Sequence, residues 1–300
     1  MSSSHESVLA QLRPLMFAIA YRMLGSASEA EDIVQEASLR VLAALRGGVR
    51  IESPDAYATT VATRLAIDEL RSARARREQY VGEWLPEPLV DEPGYGDPAD
   101  HAETADSVSL ALLVVLERLS PEQRAVFLLR DVFDYGYREI AEIVGRREDS
   151  VRQLAARARR YVRERRPRFD ASPAERDEIA RRFFAAAENG DVAARGALLA
   201  EGAPRHGDGG GQVPALARAI HGQRRVAQTL LAWMRLLARA NGRLQRSEVN
   251  GQPGALLLDG DAGLLGVWSV DIADGRVHTM RSMINPDKLR HLGSRPTPDP

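Results

Sequence analysis

The 300-residue sequence contains no cysteine. That removes disulfides, thiolate metal sites and thiol redox sensing together. Aromatic residues make up only 5%, so any core must be built mainly from Leu, Val, Ile and Ala. Lysine occurs once, at Lys288. No run of eighteen apolar residues exists, so no membrane span is expected. The first residues, Met1 to Glu6, lack a basic segment followed by an apolar one and do not read as a signal peptide. A cytoplasmic location is the expectation. From Glu78 to Glu117 there is no Lys or Arg against ten acids. From Tyr135 to Arg168, by contrast, eleven Arg face five acids. Net charge is −1, so these blocks cancel in sum but not in space. Such separation points to a nucleic-acid surface joined to an acidic connector.

What is present is organised in blocks. From Val8 to about Tyr80 the pattern is helical, with Ile33, Ala37, Val41 and Leu45 on one stripe. Ser28 with Glu31 reads as a capping box, Gly47-Gly48 as a stop, and Ser53-Pro54 as the start of a helix running to about Arg77. Pro86, Pro88, Pro93 and Pro98 forbid long helices between Gly82 and Pro98. Ser120-Pro121-Glu122-Gln123 is a strong helix start. Beyond Ser172-Pro173 two helices, Pro173 to Asn189 and Val192 to Ala200, precede a Gly-rich turn at Gly207–Gly211. A long helix is predicted from about Pro214 to Ala240, then four antiparallel strands with turns at Asn250-Gly251, Asp259-Gly260 and Asp274-Gly275. The fold class is therefore multidomain: two all-α domains, the second a helix-turn-helix, followed by an α+β domain. The predicted boundaries are 1–80, a linker at 81–103, a helix-turn-helix domain at 104–168, an α+β domain at 172–292, and a disordered tail at 293–300.

Tyr137 to Arg166 carries the chemistry most plainly. Ile140, Ala141 and Val144 face inward, Gly145 permits a tight turn, and Val151, Leu154, Ala155, Ala158 and Val162 form the buried stripe of a second helix. Arg152, Arg159 and Arg163 fall on its other side. A recognition helix needs this division, and its first turn, Arg147 to Gln153, is placed to enter the major groove. Arg pairs there with guanine and Gln with adenine; Arg157, Arg160 and Arg166 suit phosphates. Arg64, Arg71 and Arg74, with Arg76 and Arg77 beyond, give the Pro54 helix a second basic face, while Val61, Leu65 and Leu70 are expected to face its core.

Ser28-Glu29-Ala30-Glu31-Asp32-Ile33-Val34-Gln35-Glu36 resembles the polymerase-clamp-binding motif of the extracytoplasmic-function sigma factors. The resemblance, which spans roughly Leu12 to Arg166, implies that Asp32, Gln35 and Glu36 contact the clamp of the largest subunits of core RNA polymerase. It implies that Arg64, Asp68, Arg71, Arg74 and Arg77 read and melt the −10 element of promoter DNA, with the Gly47 to Pro54 loop holding a flipped-out base. It places Arg147, Asp149, Ser150, Arg152, Gln153 and Arg157 on the −35 element. The family has Ser or Thr at the start of the recognition helix; here Arg146 and Arg147 stand there, so Asp149 or Ser150 is the expected cap. The acidic linker is expected to follow a basic channel of the polymerase.

A narrower resemblance covers the C-terminal part. Trp84-Leu85-Pro86-Glu87-Pro88, Asp208-Gly209-Gly210-Gly211 and Asn285-Pro286-Asp287-Lys288-Leu289 are similar to the signature of the subgroup with a SnoaL-like extension, a cone-shaped fold that regulates the sigma factor within one chain. These residues are the expected regulatory interdomain contacts, docking the extension on both helical domains. Asp208 with its glycines reads as a turn contact, and Asp287 and Lys288 as surface or interdomain contacts. Relatives of the cone use a buried His or Asp as acid or base; His206, Asp208, His221 and His278 are available, but a catalytic base needs a tuned pKa and a substrate. No catalytic residue, metal site or cofactor is assigned. An unassigned small ligand in this domain is left open. Two rivals stand: a SnoaL-like cyclase or isomerase fused to a helical DNA-binding module, marked by an apolar cone with convergent carboxylate or imidazole, and a dimeric helix-turn-helix repressor, in which the Asp32 to Glu36 cluster has no role.

Overall fold

A computed structural model describes residues 2–47, 51–90, 108–165, 171–216 and 218–293, without the side chains of 2–4, 74–76 and 78. The chain divides into two compact units. One is Met1–Glu78 with Leu112–Arg166; the other is Gln79–Ala111 with Pro167–Pro300. The connector from Gln79 onward thus belongs with the C-terminal half.

The first unit is helical. It contains α1 (Ser2–Leu24), α2 (Ala27–Arg46), α3 (Pro54–Glu78), most of α4 (Leu110–Leu116), α5 (Pro121–Asp131), α6 (Tyr137–Val144) and α7 (Glu148–Arg165). The cap of α2 is Ser26, whose hydroxyl accepts from the Glu29 amide, not Ser28 as the sequence suggested. Ser28 lies inside the first turn. Ser120 and Gln123 form the reciprocal cap of α5 that their spacing predicts. On α3 the buried side is Ala58, Ala62, Ala66, Ile67, Leu70 and Ala73. Val61 and Leu65 are only half-buried, because small alanines let neighbouring helices approach on the adjacent strip. Gly145 adopts the left-handed conformation (φ 65°, ψ 42°) and closes α6. α7 then begins at Glu148, earlier than an Asp149 or Ser150 cap would allow. Glu148 and Asp149 put negative charge in its first turn, where the helix dipole favours it.

The second unit packs α8 (Pro173–Glu188), α9 (Val192–Leu198) and α10 (Gln223–Arg239) on one face of a six-stranded sheet. Its strands are β1 (Pro204–Asp208), β2 (Ile220–His221), β3 (Arg243–Val249), β4 (Gln252–Leu258), β5 (Leu264–Ala273) and β6 (Arg276–Met283), in the order β2-β1-β6-β5-β4-β3. The α+β class holds, with two corrections. The sheet is mixed, because β1 runs parallel to β6. The helix predicted from Pro214 begins only at Gln223: Ile220-His221 pairs with β1, and Gly222 turns the chain at φ 92°. Register shifts in β4–β5 and β5–β6 bend the sheet. Its helix-covered face is apolar, built around Trp268, Phe183, Phe184, Val270, Ile272 and Met280. The buried Trp268 indole finds the Ser282 hydroxyl at 3.0 Å, as a sequestered N–H must. A short helix, α11 (Pro286–Leu289), follows β6.

Candidate functional site

In α7, Val151, Ala155, Ala158 and Val162 are buried and Arg152, Gln153, Arg157, Arg159, Arg160 and Arg163 are exposed. Burying two valines in this way contributes roughly 2 kcal/mol each. The opposite face is therefore free to be cationic. Arg147, Asp149 and Ser150 are exposed at its start. Arg152 is held: it pairs with Glu148 and stacks over the Tyr137 ring at 4.5 Å. Arg159 pairs with Asp131 at 2.7 Å. Arg166 lies outside the described residues.

The basic face of α3 is occupied from within the same unit. Arg64 donates to the carbonyl of Ile143 at 2.8 Å and to that of Glu142 at 2.9 Å, at the end of α6. These are terminal helix carbonyls, and a guanidinium suits them by charge and by donor geometry. Arg71 bridges Asp68 at 2.9 Å and Glu122 of α5 at 2.7 Å. Arg77 and the fully buried Arg124 share Glu117, at 2.6 and 2.7 Å. Burial alone would raise the Glu117 carboxyl, but Arg124 and Arg77 hold it below its ordinary range. Thr59 and Tyr135 join the same surfaces through their hydroxyls at 2.8 Å. The side chain of Arg74 lies outside those described. Asp32, Gln35 and Glu36 are exposed on α2. Asp32 and Gln35 border a shallow groove with Leu9, Arg13, Leu39 and Leu42, and Leu39 is 58% exposed.

In the second unit the three C-terminal motifs meet at one point. Lys288 is 7% exposed and Asp208 is fully buried, 2.8 Å apart. The Lys288 ammonium also donates to the Leu85 carbonyl and lies over the rings of Tyr80 (4.8 Å) and Trp84 (4.1 Å). Asp208 accepts from the Leu85 amide at 2.9 Å, from the Gly210 amide at 3.1 Å and from the Tyr80 hydroxyl. The Asn285 amide group donates to Tyr80 at 2.8 Å and its oxygen caps α11 through the Asp287 amide at 3.0 Å. Burial, and then Asp208, push the Tyr80 phenol well above its usual range. Gly210, at φ 62°, lies so close to Asn285 that a Cβ would fall 2.3 Å from its amide nitrogen. Leu85 to Pro88 are buried. The linker stays attached further on: Val90 bridges Val249, and Asn250 bonds Leu89 and Val108.

Comparison with known proteins follows this division. Residues 8–76 match the model for sigma-70 region 2, and residues 109–162 that for sigma-70 region 4. The chain is 37% identical to the ECF RNA polymerase sigma factor SigJ of Mycobacterium tuberculosis over 93% of its own length and 91% of that protein's. This chain belongs to the extracytoplasmic-function sigma factors of the sigma-70 family. It is 34% identical to the probable ECF RNA polymerase sigma factor SigI of the same species, covering 97% of each chain. The crystal structure of Mycobacterium tuberculosis SigJ superposes on this sigma factor with a TM-score of 0.76, covering 98% and 99% of the two chains at 34% identity. The relatives carry names of transcription factors and not of enzymes, and nothing among them supports the cyclase or isomerase rival.

Several sequence expectations change in this sigma factor. Of the two contacts expected for Lys288, surface or interdomain, the surface one does not hold: Lys288 is buried at the centre of the linker cluster, while Asp287 is exposed and binds Gln212. The acid–base candidates do not converge. His206 pairs with Glu83 of the linker at 2.6 Å, Asp208 is held by Lys288, His221 is exposed on β2, and His278 is 3.9 Å from Asp274 at the β5–β6 hairpin. The contacts of Arg64 and Arg71 with α5 and α6 had no signal in the sequence, since they join residues more than fifty positions apart. Arg205, fully buried in β1, was also missed. No described helix is long and apolar enough to cross a membrane.

Proposed function

We propose that this sigma factor brings core RNA polymerase to promoter DNA from a closed resting form, and that its C-terminal domain regulates the passage to the open one in cis, in the cytoplasm. The observation that carries this reading is the use of Arg64 and Arg71, the proposed −10 contacts, by α6 and α5 of the domain proposed to read the −35 element. An arginine cannot give the same donors to a helix end and to DNA at once. Opening exchanges these internal partners for phosphates and base edges, so DNA and polymerase favour it by mass action. Asp32, Gln35 and Glu36 lie on an exposed helix face suited to the polymerase clamp. Asp68, Arg74 and Arg77 complete the −10 surface, and Arg147, Asp149, Ser150, Arg152, Gln153 and Arg157 the −35 surface. Trp84, Leu85 and Pro86 of the linker, with Asp208, Gly209, Gly210, Asn285, Pro286, Asp287, Lys288 and Leu289, are the regulatory contacts, Asp208 and Lys288 holding Leu85 directly. While the linker is fastened to the C-terminal sheet it cannot run extended through a channel of the polymerase.

Run-off transcription with core polymerase tests this, comparing the full chain with one ending at Arg168 and one lacking Pro286–Pro300. The two truncations are expected to change promoter-specific output relative to the full chain. Equal output from all three would overturn the regulatory reading. Asp32→Asn with Glu36→Gln is expected to weaken holoenzyme assembly; unchanged assembly would overturn the polymerase contact.

A further inference from the structure

We infer that the helix-covered face of the C-terminal sheet binds a small organic carboxylate, held by Arg205. Arg205 lies on β1, opposite Met280 of β6 and Ile220 of β2. Paired residues of neighbouring strands share a face. Met280 is fully buried in the apolar cluster and Ile220 packs on it, so the Arg205 side chain is directed to the same side. His206 and Asp208 take the other side, where the linker lies.

Arg205 is 1% exposed, yet neither its Nε nor its Nη1 meets an acceptor. Burial alone lowers its pKa, to about 10, with no acidic side chain acting against that loss. A guanidinium carries five donors in a planar fork and stays charged at neutral pH. Buried charges are normally paired. Among the described residues of this unit, the buried Arg281 has Asp271 at 2.7 Å and Lys288 has Asp208. Arg195, between the covering helices, donates to the carbonyls of Ala227 and Ala186, both at 3.3 Å, and its Nε has no acceptor. The domain interior therefore holds unbalanced positive charge inside an apolar wall. The complement is one carboxylate, which fits the guanidinium fork bidentately, on an apolar body that suits Phe183, Val226 and Met280. The inference names a ligand class for the regulatory domain proposed above and rests on that reading only for its consequence.

The test uses the full chain in low-salt buffer. Benzoate and hexanoate are compared with benzamide and hexanamide by thermal unfolding, for the natural sequence and Arg205→Met. The carboxylates are expected to raise the unfolding midpoint, the amides to leave it, and Arg205→Met to weaken the carboxylate response by at least about tenfold in concentration. No carboxylate response, an equal response to the amides, or an undiminished response in Arg205→Met overturns the site. Should that variant not fold, crystals of the natural chain with 4-bromobenzoate decide. A bromine anomalous peak in the domain interior with the carboxylate on Arg205 supports it. Water alone, or an adventitious ion only, at the guanidinium overturns it. Run-off transcription with and without benzoate is read separately: binding without a change in output leaves the site standing and removes its regulatory role.

Discussion

The single lysine of the sequence sits where an ammonium is most costly to bury and best paid for by its surroundings. Lys288 has a carboxylate, a carbonyl and two aromatic faces around it, and cation–π contacts strengthen as water is excluded. Removing one member of such a pair leaves the other charge buried and alone, which destabilises by about 3–5 kcal/mol. Lys288→Met is therefore expected to lower the unfolding midpoint sharply, and Asp208→Asn in the same chain to restore part of the loss. A double-mutant cycle measures the coupling; additive effects would contradict the cluster. Glu117 makes a second residue-scale prediction. Its carboxyl is held below its ordinary value of 4.5. A depressed folded value means that the stabilisation is present above the unfolded pKa and lost as pH falls through the folded one. Below pH 4.5 the natural chain is expected to lose stability more steeply than Glu117→Gln. For Arg205 the sign is opposite. A guanidinium lowered by burial to about 10 corresponds to roughly 3 kcal/mol of uncompensated burial at neutral pH. In the absence of ligand, Arg205→Met is expected to unfold at a higher temperature than the natural chain.

At the scale of elements, the glycines of the Asp208–Gly211 turn decide whether the linker can dock. Gly210 combines a positive φ with a 2.3 Å approach to Asn285 for any added Cβ. Gly210→Ala is expected to push Asn285 off Tyr80 and loosen Leu85 to Pro88, seen as faster amide exchange at Leu85, while the helical unit keeps its exchange rates. Local patterns made the helices legible: the Ser120 cap, the Gly145 turn and the α7 stripe each depend on residues within a few positions. The β-hairpins were legible for the same reason, since Asn250-Gly251 and Asp274-Gly275 both take the positive φ that tight hairpin turns demand. Where the sequence misled, the cause was tertiary. β1 and β2 are short and polar, and they exist because β6 offers an edge to β1. Pro214 begins no helix because the chain must first return to pair at Ile220. The three motifs around Lys288 were recognisable by resemblance, but their meeting at one buried ammonium depends on sequence separations of eighty residues and more.

At the scale of the molecule, the proposed function gives the basic face of α3 two competing sets of partners, and on that proposal the balance between them sets activity. The internal set is partly exposed: Arg71 faces solvent and Glu122 is half-buried, so their attraction is modest and screened by salt. The Arg64 bonds to α6 are neutral-acceptor bonds and respond less. Closure is thus held by modest contacts, which a multisubunit partner can outcompete through its own differential affinity for the open arrangement. The absence of cysteine makes this directly measurable. Ala43 on α2 and Ala156 on α7 are both exposed, and cysteines introduced there can be labelled with a donor and acceptor dye with no background reaction. Free protein is expected to give one high-transfer population. Core RNA polymerase is expected to shift it to low transfer, and Arg64→Met with Arg71→Met to produce part of that shift without polymerase, because only internal bonds have been removed. High transfer persisting in the holoenzyme would mean that α3 and α7 read DNA while still packed together, and the closed resting form would have to be abandoned.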